Sequence, residues 1–207
     1  MTQVTTTEAS PALRRNSRDA IVGAAERLFL EYGFGHVSMD ELAEVAGVAR
    51  RTLYNQFASK EDILREMLLR VSARIGGALP PGIETQGDVE EVLRLVARAV
   101  LAFQAPEDFV GLLRMTVADS RQFPWIAAAL DSVLKPYLDR FVRYFSHLSA
   151  LGVLNCPDPL LAARQFLGLL NGPTLWPRIF SPDSESSSLD TVVDETVRMF
   201  LLRYRPA

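Results

Sequence analysis

The chain has 207 residues, 48% of them hydrophobic and 23% charged, the balance of a soluble globular protein with a core of its own. No apolar run approaches the roughly 18–20 residues of a membrane span, and the start, MTQVTTTEASPALRRNSRD, has no apolar stretch of the signal-peptide kind. A single cysteine, Cys156, excludes an internal disulfide framework and fits a reducing cytoplasm, while a net charge of −3 excludes a general basic coat for nucleic acid.

Any nucleic-acid contact must therefore be a local patch. Residues 1–75 hold ten Lys/Arg against ten Asp/Glu, and the whole negative excess lies beyond them. The first fifteen residues, rich in Thr, Ser, Pro and Ala, read as a flexible arm, with Arg14, Arg15 and Arg18 near its end. A first helix is expected from about Asn16, a plausible N-cap, to Tyr32, with Ile21, Ala24, Leu28 and Tyr32 at helical spacing and Gly33 closing it. Ser38-Met-Asp-Glu41 is a capping box that opens a second helix, and Gly47 ends it. A tight turn leads to a third, from about Ala49 to Phe57. Ser59 caps a fourth, whose inner face carries Ile63, Leu64, Met67, Leu68, Val71 and Ile75.

Gly76, Gly77, Pro80, Pro81, Gly82 and Gly87 are the main punctuation of the chain. They place a domain boundary there, giving an N-terminal unit over 16–75 and a larger one over 76–207. Asp88 opens a fifth helix that ends near Gln104. Pro106 begins a sixth, and Pro136 should kink or divide the long segment from Trp125 to Leu151. Asp158-Pro159 opens a helix expected to end at Asn171, with GPTLWPRIFSPDSESSS as an irregular loop. The last helix covers about Leu189 to Tyr204. The fold class is all-α, with no strand-like alternation of useful length.

The stretch GVARRTLYNQFASKEDIL, Gly47–Leu64, carries the chemistry. On a wheel of about 100° per residue, Leu53, Gln56 and Phe57 share one sector with Ala49. Arg51, Thr52, Tyr54 and Asn55 spread over the remaining arc, and Arg50 flanks it. Two short helices joined through a glycine, the second bearing exposed cations, form the pattern of a DNA-reading helix-turn-helix. Lys60 lies in the first turn of the next helix, where unpaired N–H groups favour a phosphate.

From Asp19 to Met67, with LFLEYGF followed by VSMDELAEVAGVARRTLYNQFASKEDIL, the sequence resembles the tetracycline-repressor (TetR) family of bacterial regulators. The resemblance implies that Ser38 touches phosphate, that Thr52 and Tyr54 contact the DNA backbone, and that Lys60 is the phosphate-binding lysine. It places Arg50 and Arg51 at the variable positions that read base edges. Asn55 and His36 are weaker candidates. Two departures stand out: Ala49 replaces a common capping serine, so the third helix should start less firmly, and Arg51 replaces a frequent glycine.

LLRMTVADSRQFP and DPLLAARQFLGLLNGP resemble the sixth and eighth helices of a branch of the same family, which implies a ligand-binding and dimerisation domain. The helices around Leu160–Leu170 and Leu189–Leu202 are apolar on several sides, as expected of helices covered by a partner subunit. Phe103, Phe109, Met115, Phe123, Trp125, Phe141, Phe145, Asn171 and Trp176 are candidates for lining a pocket, Asn171 as the amide that would orient a ligand. The chain lacks a nucleotide-binding glycine loop, a nucleophile elbow and a metal-binding His pair, so neither an enzyme nor a metal or other cofactor is expected. The function expected is a cytoplasmic, homodimeric, ligand-responsive regulator, most often a repressor, released from a palindromic double-stranded DNA operator by a small, largely apolar effector. The alternative is a ligand-independent architectural DNA-binding protein.

Overall fold

A computed structural model describes residues 11–78, 88–181 and 188–206, the side chains of 11–14 and 77–78 excepted. The described residues form α1 (Pro11–Tyr32), α2 (Met39–Val45), α3 (Arg50–Gln56), α4 (Lys60–Ala78), α5 (Val89–Gln104), α6 (Glu107–Asp119), α7 (Pro124–Ala150), α8 (Pro159–Phe180) and α9 (Leu189–Tyr204). A 3-10 turn, Phe34–His36, follows α1, and no strand occurs among the described residues. The chain divides into two compact units between Leu68 and Leu69, inside α4, ahead of the expected Gly/Pro boundary. Most of that Gly/Pro stretch, residues 79–87, lies outside the described residues, as do residues 1–10 of the expected arm.

In the first unit α1 already begins at Pro11, so Asn16 lies inside the helix and caps nothing. The buried face of α1 is Ile21, Val22, Ala25 and Phe29, whereas Tyr32 is 55% exposed and Leu28 is half-buried. Phe29 meets Phe34 of the 3-10 turn at 5.2 Å between ring centroids. Gly33, at φ 85°, makes the reversal that a side chain at that position would resist. Arg18, expected near the end of a loose arm, is instead a brace. Its guanidinium donates to Gln56 O at 3.3 Å and to Glu66 Oε2 at 2.9 Å, and it lies 4.2 Å from the centre of the Phe57 ring. Gln56 Nε2 donates in turn to Ser17 Oγ.

In the second unit α5, α7, α8 and α9 enclose one apolar core. An aromatic chain runs through it: Phe145 lies 4.9 Å from Phe200 and 6.0 Å from Phe166, and Phe200 lies 4.6 Å from Tyr204. Helix α7 is unbroken through Pro136, so this proline does not divide it. Helix α8 likewise runs past the expected stop at Asn171, through Pro173 and Pro177, to Phe180. Each proline removes a backbone donor, and tertiary contacts elsewhere on the helix offset that loss. Thr174 and Leu175 are buried, Arg114 donates to the carbonyls of Arg178 and Ile179, and Arg178 reaches back to the carbonyls of Gln104 and Ala105. GPTLWPRIF is therefore helix, held by contacts distant in sequence. Surface ion pairs join α5 to α9, with Arg94 to Asp194 at 3.1 Å and Arg98 to Asp190 at 3.2 Å.

The three-way role of Arg18 yields a stability prediction. Arg18→Ala should cost about 1–2 kcal/mol, the sum of a partly exposed ion pair, one charged hydrogen bond and a cation–π contact. Arg15→Ala, at an exposed position, should leave the melting temperature nearly unchanged. Equal thermal midpoints for the two variants would remove the brace.

Candidate functional site

The helix-turn-helix is assembled by local chemistry. Ser38 caps α2: the Glu41 amide donates to Ser38 Oγ at 3.2 Å, and the Ser38 amide donates to Glu41 Oε2 at 2.7 Å. The Ser38 hydroxyl also donates to Glu41 Oε2 at 2.7 Å, so its one proton is committed to the box and a phosphate would compete for it. These donors hold the Glu41 carboxyl below its ordinary range, the Ser38 hydroxyl contributing most. The cap's stabilisation is thus present above the ordinary carboxylate range and is lost as pH falls through the lowered folded value.

At the other end of α2, the Val48 amide donates to Ala43 O and the Gly47 amide to Glu44 O, both at 3.0 Å. With Gly47 at φ 66°, this is a Schellman closure, and it needs the left-handed conformation that glycine adopts without penalty. Helix α3 then starts from Ala49 with no side-chain cap.

Leu53 and Phe57 are buried, at 0% and 3% exposure, and Gln56 is half-buried. Arg50, Arg51, Tyr54 and Asn55 are exposed, Thr52 is half-buried, and Ser38 is exposed nearby in the chain at the head of α2. Arg50 Nε lies 2.9 Å from Asp40 Oδ1 on α2. Arg51 has no partner among the described residues. His36 is exposed, with Nδ1 3.1 Å from Tyr32 O.

Lys60 differs from a free surface cation. Its Nζ donates to Phe34 O at 2.8 Å and to Val37 O at 3.1 Å, and it sits 4.5 Å from the centre of the Phe34 ring. Two of its three donors are used on the turn that leads into α2, which leaves one for an anion. Behind it, Ser59 caps α4 by accepting from the Asp62 amide at 3.2 Å. Spacing placed Lys60 in this first turn, but its contacts come from residues 23 and 26 positions away.

The expected pocket residues fall into three groups. Phe141 and Phe145 belong to the apolar core of the second unit, and Phe109 and Met115 are buried on α6. Phe103, Phe123 and Trp125 are half-buried. Trp176 is 50% exposed and stacks on the exposed Phe180 at 6.1 Å and 16°, so it stands on the surface of α8 and does not line the interior.

Asn171 Oδ1 accepts from Gln104 Nε2 at 3.0 Å, which joins α8 to the end of α5. The other end of this amide, Gln104 Oε1, is buried without a partner among the described residues, and so is the Tyr137 hydroxyl. Phe103 meets Phe109 at 4.6 Å and Tyr137 at 6.3 Å, and Tyr137 meets Phe141 at 5.1 Å. Burial pushes the Tyr137 phenol far above its ordinary range, so it stays a neutral donor. A cavity of about 200 Å³ is lined by Leu101, Gln104, Ala105, Thr174, Leu175, Arg178 and Leu189. A second, of about 290 Å³, is lined by Arg74, Ala99, Ala102, Phe103 and Pro106.

Gln104 and Tyr137 were not singled out from sequence. A signal for Gln104 exists: Leu93, Ala97, Val100 and Gln104 follow one helical stripe, and the glutamine is its polar member. The contacts of Lys60 predict a dual effect. Lys60→Ala should flatten the salt dependence of DNA binding by ~1 and also destabilise the chain by about 1–2 kcal/mol, because two carbonyls lose a charged donor. A thermal melt unchanged by the substitution would show that the two carbonyls do not need Lys60.

Comparison with known proteins agrees with this arrangement. Residues 21–67 match the family described as bacterial regulatory proteins, tetR family. Residues 91–206 match that described as AefR-like transcriptional repressor, C-terminal domain. A TetR-family regulator structure from Mesorhizobium loti superposes with a TM-score of 0.80 at 25% identity, covering 93% of this chain and 98% of its own. The flavonoid-responsive regulator FrrA superposes at 0.76 with 28% identity, covering 93% and 98%. The transcriptional activator FasR of Mycolicibacterium smegmatis is 29% identical over 138 residues, 67% of this chain and 63% of FasR. The chain spans about half to five-eighths of the length of the curated relatives it matches (48%, 54% and 63%). Among the described residues no helix is long and apolar enough to cross a membrane. The chain belongs to the TetR family of bacterial DNA-binding transcriptional regulators.

Proposed function

We propose that the protein is a cytoplasmic, homodimeric repressor that holds a palindromic operator and leaves it when a small, largely apolar molecule binds the second unit. The observation that carries the DNA half is the split of α3: Leu53 and Phe57 are buried while Arg50, Arg51, Tyr54 and Asn55 face solvent. A helix anchored on one side and cationic on the other suits the major groove. Ser38, Thr52 and Lys60 would add backbone contacts around it. The repressor reading draws on the AefR-like match over residues 91–206.

The ligand half draws on the interior of the second unit. A buried polar atom without a partner costs about 1–3 kcal/mol, and among the described residues Gln104 Oε1 and the Tyr137 hydroxyl are two such atoms, the Tyr137 ring 6.3 Å from that of Phe103. Flipping the Gln104 amide exchanges which end is unpaired and does not satisfy both. An apolar effector carrying one or two hydrogen-bonding groups would relieve this cost, and FrrA, a structural relative, is named for its response to flavonoids. Asn171 would act through Gln104. Phe103, Phe109, Met115 and Phe141 would supply apolar wall, with Phe145 and Trp125 behind it.

The dimer face is proposed on α8 and α9. Every fourth residue of α8 from Leu160 is exposed: Leu160, Arg164, Gly168, Gly172, Trp176 and Phe180. An added Cβ at Gly168 or Gly172 would meet nothing within 4 Å, so a partner helix could approach closely there. Met199 and Leu202 are the exposed apolar residues of the last two turns of α9. Of the apolar residues on these two helices, Phe166, Leu170, Val193, Val197 and Phe200 lie in the core of their own subunit. Met199→Glu with Leu202→Glu should therefore give a folded monomer by light scattering and circular dichroism, whereas Phe200→Glu should lose the fold. A double variant that remains dimeric places the interface elsewhere.

Mobility shift on the duplex flanking the protein's own gene tests the whole reading. The wild type should bind it and be released by an effector, and the effector should be weakened by DNA in the same proportion, typically ~5–150-fold. Tyr137→Phe should raise the melting temperature of the free protein by removing an unpaired hydroxyl, keep DNA affinity, and require more effector for release. A lowered melting temperature for Tyr137→Phe would mean that the hydroxyl is already satisfied.

A further inference from the structure

Arg50 and Asp40 form an ion pair that folding does not require. They stand on different helices of the helix-turn-helix, with Nε 2.9 Å from Oδ1, and their side chains are 70% and 49% exposed. An ion pair this exposed adds little to stability. A carboxylate on a face that meets phosphates also carries an electrostatic penalty for every DNA sequence. Its location therefore suggests a benefit confined to particular sequences.

We infer that Asp40 is a specificity-determining positioning residue: its carboxylate lies against the Nε end of Arg50 as an ion-pair partner and leaves the two terminal nitrogens of the guanidinium to read a guanine. This rests on α3 being the DNA-reading helix. A guanidinium has five N–H donors, one on Nε and two on each terminal nitrogen. With the Asp40 carboxylate nearest Nε, the end-on edge remains, and its two parallel N–H groups match guanine O6 and N7 in the major groove.

An unrestrained arginine must give up rotamer freedom on binding, and one already held in place gives up less. Asp40 is well placed for this task, because it lies one residue before Glu41 of the capping box and so sits on the locked first turn of α2. Arg51, next in sequence and without a partner among the described residues, has no comparable restraint and suits an adjustable contact to phosphate. The two arginines thereby acquire different roles from one carboxylate.

The test is selection of duplexes from a random-sequence pool by the full-length chain, followed by affinity measurements on the selected duplex and on a scrambled one. The wild type should select a sequence containing a guanine that Arg50→Ala no longer demands. Asp40→Ala should relax that same position and lower affinity for the selected duplex roughly tenfold. Its affinity for the scrambled duplex should stay constant or rise, because a negative charge has left the DNA face. Asp40→Asn, which keeps the shape and removes the charge, should relax the position as Asp40→Ala does, and in the Arg50→Ala background Asp40→Ala should cause no further loss. The inference is overturned if Asp40→Ala selects the wild-type sequence with undiminished stringency, or weakens both duplexes equally. A wild type that enriches no sequence would instead overturn the DNA-reading function itself, and the role of Asp40 with it.

Discussion

The N-terminal unit depends on the burial of Leu53 and Phe57. Helix α3 has seven residues and no side-chain cap, far below the length at which an isolated helix persists in water. It exists because two large apolar side chains are removed from solvent beside α1 and α2. Arg18 reinforces the same point from the other side, covering the Phe57 ring while bonding the last carbonyl of α3. Everything that α3 presents to solvent is oriented by this anchoring. A guanidinium on an unanchored heptapeptide would sample many directions, whereas one on α3 points where Leu53 does not.

The turns on either side work by fixing backbone direction. Gly47 lets α2 close on itself and lets the chain re-enter a helix within three residues. Lys60 draws the 3-10 turn toward the start of α4 through two carbonyls. Its charge thus performs structural work before any anion arrives. In this family member the cations differ in their freedom: Arg18 and Lys60 are committed internally, Arg50 is paired with a carboxylate, and Arg51 has no partner among the described residues.

The second unit spends its aromatic residues differently. Phe145, Phe166, Phe200 and Tyr204 pack edge to face and tilted in the centre of the core, a favourable arrangement for ring quadrupoles. Those rings hold the helices together and are poor candidates for lining an open space. The buried polar side-chain atoms without a partner among the described residues are on Tyr137, whose ring meets Phe141 and Phe103, and on Gln104, bonded to Asn171.

Local chemistry was legible in the sequence. Capping serines, the glycine turn, the apolar stripes of α2, α3 and α4, and the all-helical class each arise from interactions within a few residues, and such interactions leave a spacing. The helix-turn-helix and its exposed cations were readable for that reason. Three outcomes were decided by tertiary structure alone. Helix α8 continues through Pro173 and Pro177, with Thr174 and Leu175 buried between them, Arg114 bonded to the carbonyls of its last turn and Arg178 bonded to the end of α5. Trp176 stands on the surface and Phe145 in the core, though composition treats both as aromatic. Arg18, Arg50 and Lys60 look alike as cations in sequence, and their partners lie 48, 10 and 26 residues away. Pairing over such distances leaves no local period, so only the packed chain reveals which charge is a brace, which is held by a carboxylate, and which is spent on backbone carbonyls.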